Sequence, residues 1–278
     1  MQFDVVIMNP PYHSKSSASH SKTQAIWDKF VKKAFVLVEE NGIVVAVHPS
    51  GWRNHGGAFK EAHVLREKQI EYLEIHDEQD GQKTFHASTR YDWYVARNTP
   101  CAHESIMVGQ DGECSRVDLQ KLPVIPNCMI DKISSMLARD EEETVGIICD
   151  STYHTQRDHM SRERNDKFKY SIVYSTPVAS PTIWWSSIQN GHFGTPKVIF
   201  NPSCPIGFVV DYNGEYGISQ FCVGIVGDKN YLDMVEDVIA NQKTNGFAEF
   251  MEACHFTDKI FNKDIFSSFR RDFWREFV

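Results

Sequence analysis

The 278-residue sequence predicts an α/β fold over residues 1–99 and an α+β fold over residues 100–278. Three observations carry this. Residues 3–8 form a short, nearly continuous apolar run, the pattern of a strand buried on both faces of a parallel sheet. Strand-like and helix-like stretches then alternate to about residue 99, as in βαβ units. At Thr99-Pro100-Cys101 the composition changes, and short strand-like pieces separated by turn signals take over.

The opening run Phe3-Asp4-Val5-Val6-Ile7-Met8 is stopped by Pro10 and Pro11, which lack an N–H and fix φ. Asn9 and Tyr12 are therefore expected on a stiff turn at the carboxyl end of a strand, where open α/β sheets bind ligands. Residues 13–21 are small and polar and read as a loop. Residues 22–40 read as a helix, with Ile26, Trp27, Phe30, Val31, Ala34, Phe35 and Val38 at helical spacing and Gly42 suited to end it. Residues 43–47 form the next strand and run into His48-Pro49-Ser50-Gly51-Trp52-Arg53. Gly56-Gly57 opens a second helix to Gln69, and residues 70–75 alternate as a strand. Phe85 falls in a loop before a last aromatic strand over residues 90–97.

Beyond residue 99, Asp111-Gly112 is a hairpin signal and Leu122-Pro123-Val124-Ile125-Pro126 is extended. A short helix is expected over residues 129–137. The run Arg139-Asp140-Glu141-Glu142-Glu143 reads as a solvated helix end. Residues 153–170 hold the densest basic patch, interleaved with polar and aromatic residues: Arg157, Arg162, Arg164, Lys167 and Lys169 among Tyr153, Phe168 and Tyr170. Phosphates are met by Arg and Lys, and base edges by Arg, Asn and Gln. The acids mixed into this patch leave an ordinary charged surface loop as the other reading. Strands are expected around residues 174–185, 197–200 and 208–214, and helices over 232–240 and 247–254. The aromatic tail, residues 261–278, is amphipathic and either packs on its domain or meets a partner.

The Asn9-Pro10-Pro11-Tyr12 tetrapeptide after an apolar strand resembles the catalytic motif of S-adenosylmethionine-dependent amino-methyltransferases. The closest resemblance is to the DNA adenine-N6 methyltransferases of restriction–modification systems. The resemblance implies that the Asn9 side chain and the Pro10 carbonyl accept hydrogen bonds from the target amino group. Pro11 completes the motif, and the Tyr12 ring stacks on a flipped-out base. The chemistry is coherent: two acceptors on an aromatic amine's hydrogens push its nitrogen toward a nucleophilic, tetrahedral geometry, and an aromatic platform offsets stacking lost when a base leaves the duplex. By the same resemblance the loop over residues 13–21 is either a plain connection or a mobile lid over the target base, Phe85 and Trp52 meet that base, Arg53 meets the DNA from near the cleft rim, and the region after the core reads the DNA. For Trp52 a packing anchor is the other reading, and for Phe85 a place in the core.

Residues 1–99 thus resemble the second half of a class I (Rossmann-like) methyltransferase sheet, and residues 100–278 its target-recognition domain. The sequence departs from that family in one respect. No Gly-rich cofactor turn precedes Asn9, and Val198-Ile199-Phe200-Asn201-Pro202-Ser203 is the nearest candidate downstream. The expectation is therefore an apolar sheet edge at the opening strand, covered by a second chain or segment that supplies the cofactor-binding half. Alternatives are a catalytically inactive DNA-binding or regulatory subunit, or a protein-glutamine or RNA adenine methyltransferase.

Composition sets outer limits. A net charge of −8 argues against a protein that coats nucleic acid generally, while leaving room for a local basic cleft. Seven scattered cysteines with no Cys-x-x-Cys pair suggest neither a zinc site nor a disulfide framework. With no signal peptide and no bilayer-length apolar run, the expectation is a protein of the cytoplasm of a prokaryotic or phage-infected cell, with no membrane partner.

Overall fold

The computed structural model describes residues 2–14, 24–53, 60–202, 206–257, 260–261 and 263–278. The chain is a mixed α/β protein in two compact units: residues 1–134 with 253–262, and residues 135–252 with 263–278. The first unit therefore runs past Pro100. The lid expected over residues 13–21 lies largely outside the described residues, as do Gly56, Gly57 and Ser203.

In the first unit the strands and helices are β1 (Phe3–Met8), α1 (Trp27–Leu37), β2 (Val38–Pro49), α2 (Val64–Glu67), β3 (Lys68–His76), α3 (Glu78–Phe85), β4 (Tyr91–Pro100), β5 (Ser105–Val108) and β6 (Cys114–Val117). They build one six-stranded sheet in the order β1-β2-β4-β3-β5-β6. β1 and β2 are parallel, as the strand–helix–strand spacing requires, whereas β4 lies antiparallel between β2 and β3. The hairpin signal at Asp111-Gly112 sits between β5 and β6, which pair antiparallel, with Gly112 at φ 81°.

Helix α1 forms because Trp27, Val31, Ala34 and Phe35 fall on one face, and all four are buried. It stops at Leu37 rather than at residue 40, because Val38 already pairs with Phe3 in β2. The next pair in register is Val5 with Ile43, so residues 39–42 bulge out, with Asn41 at φ 66°. Gly42 thus belongs to a strand and not to a helix end. A Cβ on it would stand 2.8 Å from the Asp4 carbonyl oxygen, so glycine lets β1 and β2 approach. The second expected helix is likewise shorter: a 3-10 turn over Lys60–His63, then α2, before Lys68 enters β3.

The two faces of this sheet differ. Alternate residues Val44, Ala46 and His48 of β2 and Asp92, Tyr94 and Ala96 of β4 are fully buried. Their neighbours Ile43, Val45, Val47, Trp93 and Val95 are half-buried. At the β1 edge the asymmetry is greatest, with Phe3 44%, Val5 49% and Ile7 77% exposed. The expectation of a strand buried on both faces fails here: Phe3, Val5 and Ile7 alternate onto one face of β1 and are exposed, and among the described residues β1 pairs only with β2.

The second unit is built on α4 (Ile130–Met136, which crosses the division), β7 (Gly146–Ile148), β8 (Met160–Ser161), β9 (Tyr170–Ser175), β10 (Thr182–Ser186), β11 (Lys197–Phe200), β12 (Phe208–Asp211), β13 (Gly217–Ile218), β14 (Val223–Val226), α5 (Lys229–Ala240) and α6 (Phe247–Ala253). Two four-stranded sheets result, β13-β9-β10-β8 and β12-β11-β14-β7. Val173 of the first and Ile199 of the second share a buried cluster with Ile218 and Cys222. The aromatic tail packs on this unit: Phe266, Phe269, Phe273 and Trp274 are fully buried, and Trp274 stacks on Phe266. A small hairpin, β15 (His255–Thr257) with β16 (Ile260–Phe261), returns to the first unit. Among the described residues no helix is long and apolar enough to cross a membrane.

Candidate active site and candidate nucleic-acid face

Asn9-Pro10-Pro11-Tyr12 leaves the carboxyl end of β1. Pro10 is buried and anchors the turn, while Asn9 is exposed. The chain then pairs with the segment entering α1: the Ile26 N–H donates to the Tyr12 carbonyl at 3.1 Å, and the Ser14 N–H to the Gln24 carbonyl at 2.8 Å. The first bond holds the Tyr12 carbonyl, and the second fixes the chain two residues on. The Tyr12 ring is half-buried, and burial pushes its phenol up from the ordinary range. The Asn9 carboxamide has no hydrogen-bond partner among the described residues, so its oxygen is available to a ligand.

Phe85 faces Tyr12, with ring centroids 6.3 Å apart and planes at 73°. It lies at the end of α3, not in a loop. Asp77 caps that helix by accepting from the Asp80 N–H at 2.8 Å, and His86, at φ 56°, ends it. Gly81 hides the helix in the sequence, yet it is what seats it: a Cβ there would lie 2.1 Å from the Thr89 carbonyl oxygen. Behind Phe85 stands Tyr91, edge-on at 4.9 Å, and His76 stacks on Tyr91 at 4.5 Å. Burial and a hydrogen bond to Asp80 push the Tyr91 phenol up to about 12, so it stays a donor. His76 Nδ1 lies 3.1 Å from the same carboxylate. Sequence reading passed over His76 and Tyr91; the alternation of β3 and β4 was the signal that placed them together.

Trp52 and Arg53 are corrected by the structure. Both are fully buried in a 3-10 turn, Ser50–Arg53, rather than at a cleft rim. Asp92 Oδ2 accepts from the Trp52 indole at 2.8 Å and lies 3.1 Å from Arg53 Nε. Arg53 also donates to the carbonyls of Ile125 and Pro126. Burial pushes the Asp92 carboxyl up, and the guanidinium beside it opposes that shift. Arg53 cannot reach a phosphate from here. Next to this pair His48 stacks on Trp27 at 4.4 Å. Its Nδ1 donates to the Pro49 carbonyl at 3.0 Å, and its Nε2 accepts from the Tyr94 hydroxyl at 3.2 Å. Burial lowers its pKa to about 4, so the ring is neutral.

In the second unit Arg157, Arg162, Arg164, Lys167 and Lys169 are all exposed, and none takes a carboxylate partner among the described residues. Arg162 lies 5.2 Å above the Trp184 ring and Arg164 5.0 Å above Trp185. The sequence offered only the adjacent tryptophans as a hint of this arrangement. Val198–Phe200 does not open a cofactor unit: β11 is antiparallel to both β12 and β14, so no βαβ turn can start there. Among the described residues no group of three His, Cys, Asp or Glu side chains is placed to hold a metal.

Residues 1–85 match the family model of the Eco57I restriction-modification methylase. No curated protein matches the chain. Among solved structures, the type IIL restriction-modification enzyme MmeI in complex with DNA is 9% identical, over 83% of this chain and 42% of that one, with a TM-score of 0.41. The type IIG restriction endonuclease BpuSI is 9% identical, over 96% and 46%, at 0.36. The M protein of the type I restriction enzyme EcoKI is 10% identical, over 38% and 25%, at 0.31. The chain spans less than half the length of each of these proteins, and at such TM-scores the likenesses establish no activity.

Proposed function

We propose that this chain carries the acceptor-handling site of an S-adenosylmethionine-dependent DNA methyltransferase, acting on the N6 amino group of an adenine turned out of the duplex. The observation that carries this reading is the exposed Asn9 carboxamide beside the Tyr12–Phe85 ring pair, on a stiff turn at the end of a parallel strand. The family match over residues 1–85 spans this whole constellation and supports it.

The Asn9 side-chain oxygen and the Pro10 carbonyl accept the two amino hydrogens. That draws the nitrogen lone pair out of conjugation with the ring. Tyr12 stacks on a face of the extruded base and offsets its lost stacking, while Phe85, at 73° to Tyr12, meets the edge of the base. Arg157, Arg162, Arg164, Lys167 and Lys169 meet the DNA; their surroundings are cationic although the whole chain is acidic.

A place for the methyl donor is not complete among the described residues. No Gly-x-Gly occurs in the sequence, and the free side of β1 is where such a half would have to join. Phe3, Val5 and Ile7 present an apolar edge there, which soluble proteins rarely leave open. We therefore assign S-adenosylmethionine to a second chain or segment that extends the sheet at β1. The test is methyl transfer from labelled S-adenosylmethionine to DNA by the assembly purified through a tag on this chain. Asn9→Ala should lower transfer by about a hundredfold or more, as for other preorganised polar groups at a reacting centre, with DNA retention nearly unchanged. Undiminished transfer would sink the assignment.

A further inference from the structure

The sheet β13-β9-β10-β8 ends at β8, and β10 presents Trp184 and Trp185 on opposite faces next to that edge. Arg162 lies over one indole and Arg164 over the other. Trp184 is itself fixed from below, stacked on Tyr174 at 4.9 Å with planes 8° apart, and Phe221 stands edge-on to Tyr174 at 5.2 Å. The segment bearing the arginines is tied down locally. The Glu163 N–H donates to Ser161 Oγ at 3.1 Å, and the N–H groups of Lys167 and Phe168 both donate to Asn165 Oδ1 at 2.9 Å. Two guanidinium planes are thus set in place with no carboxylate to satisfy them among the described residues, one on each side of a sheet edge.

A phosphate is served by any mobile cation, as Lys167 and Lys169 can provide. A planar fork held over an indole suits a partner that accepts two parallel hydrogen bonds. In duplex DNA a phosphate and the O6/N7 edge of guanine both accept such a pair, and of the two only guanine, displayed in a major groove wide enough for a β-ribbon, carries sequence. We propose that Arg162 and Arg164 are the specificity-determining pair of this protein, each reading one guanine from the β8 edge. The proposal rests on DNA being the substrate.

The full chain is mixed with a pool of randomised duplexes, and the retained fraction is sequenced. The wild type should enrich guanine at two positions. Arg162→Lys keeps the charge and loses the fork, and should relax one position by about tenfold. Arg164→Lys should relax the other, while Lys167→Ala should weaken all sequences alike. Circular dichroism shows that each variant is folded. Retention without enrichment, or enrichment unchanged in both lysine variants, would overturn the arginine assignment alone and leave methyl transfer to DNA standing. Retention of no duplex by the wild type would overturn both.

Discussion

Tyr12 and His48 show what single side chains decide here. Tyr12 is held through its backbone and offers the site its ring, with its hydroxyl enclosed. Tyr12→Phe should therefore leave methyl transfer within about threefold, whereas Tyr12→Ala removes a stacking surface worth about 1–3 kcal/mol per base and should cost about 10- to 100-fold. Equal losses in the two variants would show that the hydroxyl, and not the ring, does the work. His48 governs stability instead. Its folded pKa, about 4, lies below the ordinary value of 6.5. Between those values the unfolded chain binds more protons, so this contribution is complete above about pH 6.5 and is lost as the pH falls toward 4. Its full size is on the order of 3 kcal/mol. Urea unfolding of wild type and His48→Gln across that window tests this: the variant should lose the slope, and parallel curves would refute it.

At the scale of elements, β1 is the point of tension. Its sequence carries the signature of a fully covered strand, and the structure leaves Ile7 77% exposed. Ile7→Glu should change the stability of the chain alone by no more than about 0.5 kcal/mol, as at other exposed sites. The same change should lower the S-adenosylmethionine carried by the purified assembly at least tenfold, because a carboxylate would enter the apolar seam. Unchanged cofactor content would place the donor half elsewhere. The same strand shows how far sequence reading goes. The order of the four strands to residue 100, and the presence of the first two helices, were legible because periodicity and prolines are local signals. The ends of α1 and α2 were not, because Val38 and Lys68 were claimed by strand pairing with distant residues. Helix α3 was hidden by Gly81, whose value lies in the close approach to Thr89. Of the site, Asn9, Tyr12 and Phe85 were readable from a contiguous motif and one aromatic. Trp52 and Arg53 were misplaced, since their partner Asp92 lies some forty residues on. No local pattern reveals that pairing.

For the molecule as a whole, an overall charge of −8 and a DNA substrate are compatible because the exposed cations of residues 157–169 are gathered in one segment of one unit, while Asn9, Tyr12 and Phe85 stand in the other. On the proposed reading, chemistry and recognition are built on separate cores. The central proposal is that this chain directs methylation of adenine N6 in DNA. The most direct measurement is single-molecule sequencing of DNA from the cells that encode it, comparing the wild type with a strain whose own copy carries Asn9→Ala. The account predicts a sequence motif methylated at adenine N6 in the wild type and unmethylated in the variant. An adenine methylation pattern identical in the two strains would contradict it.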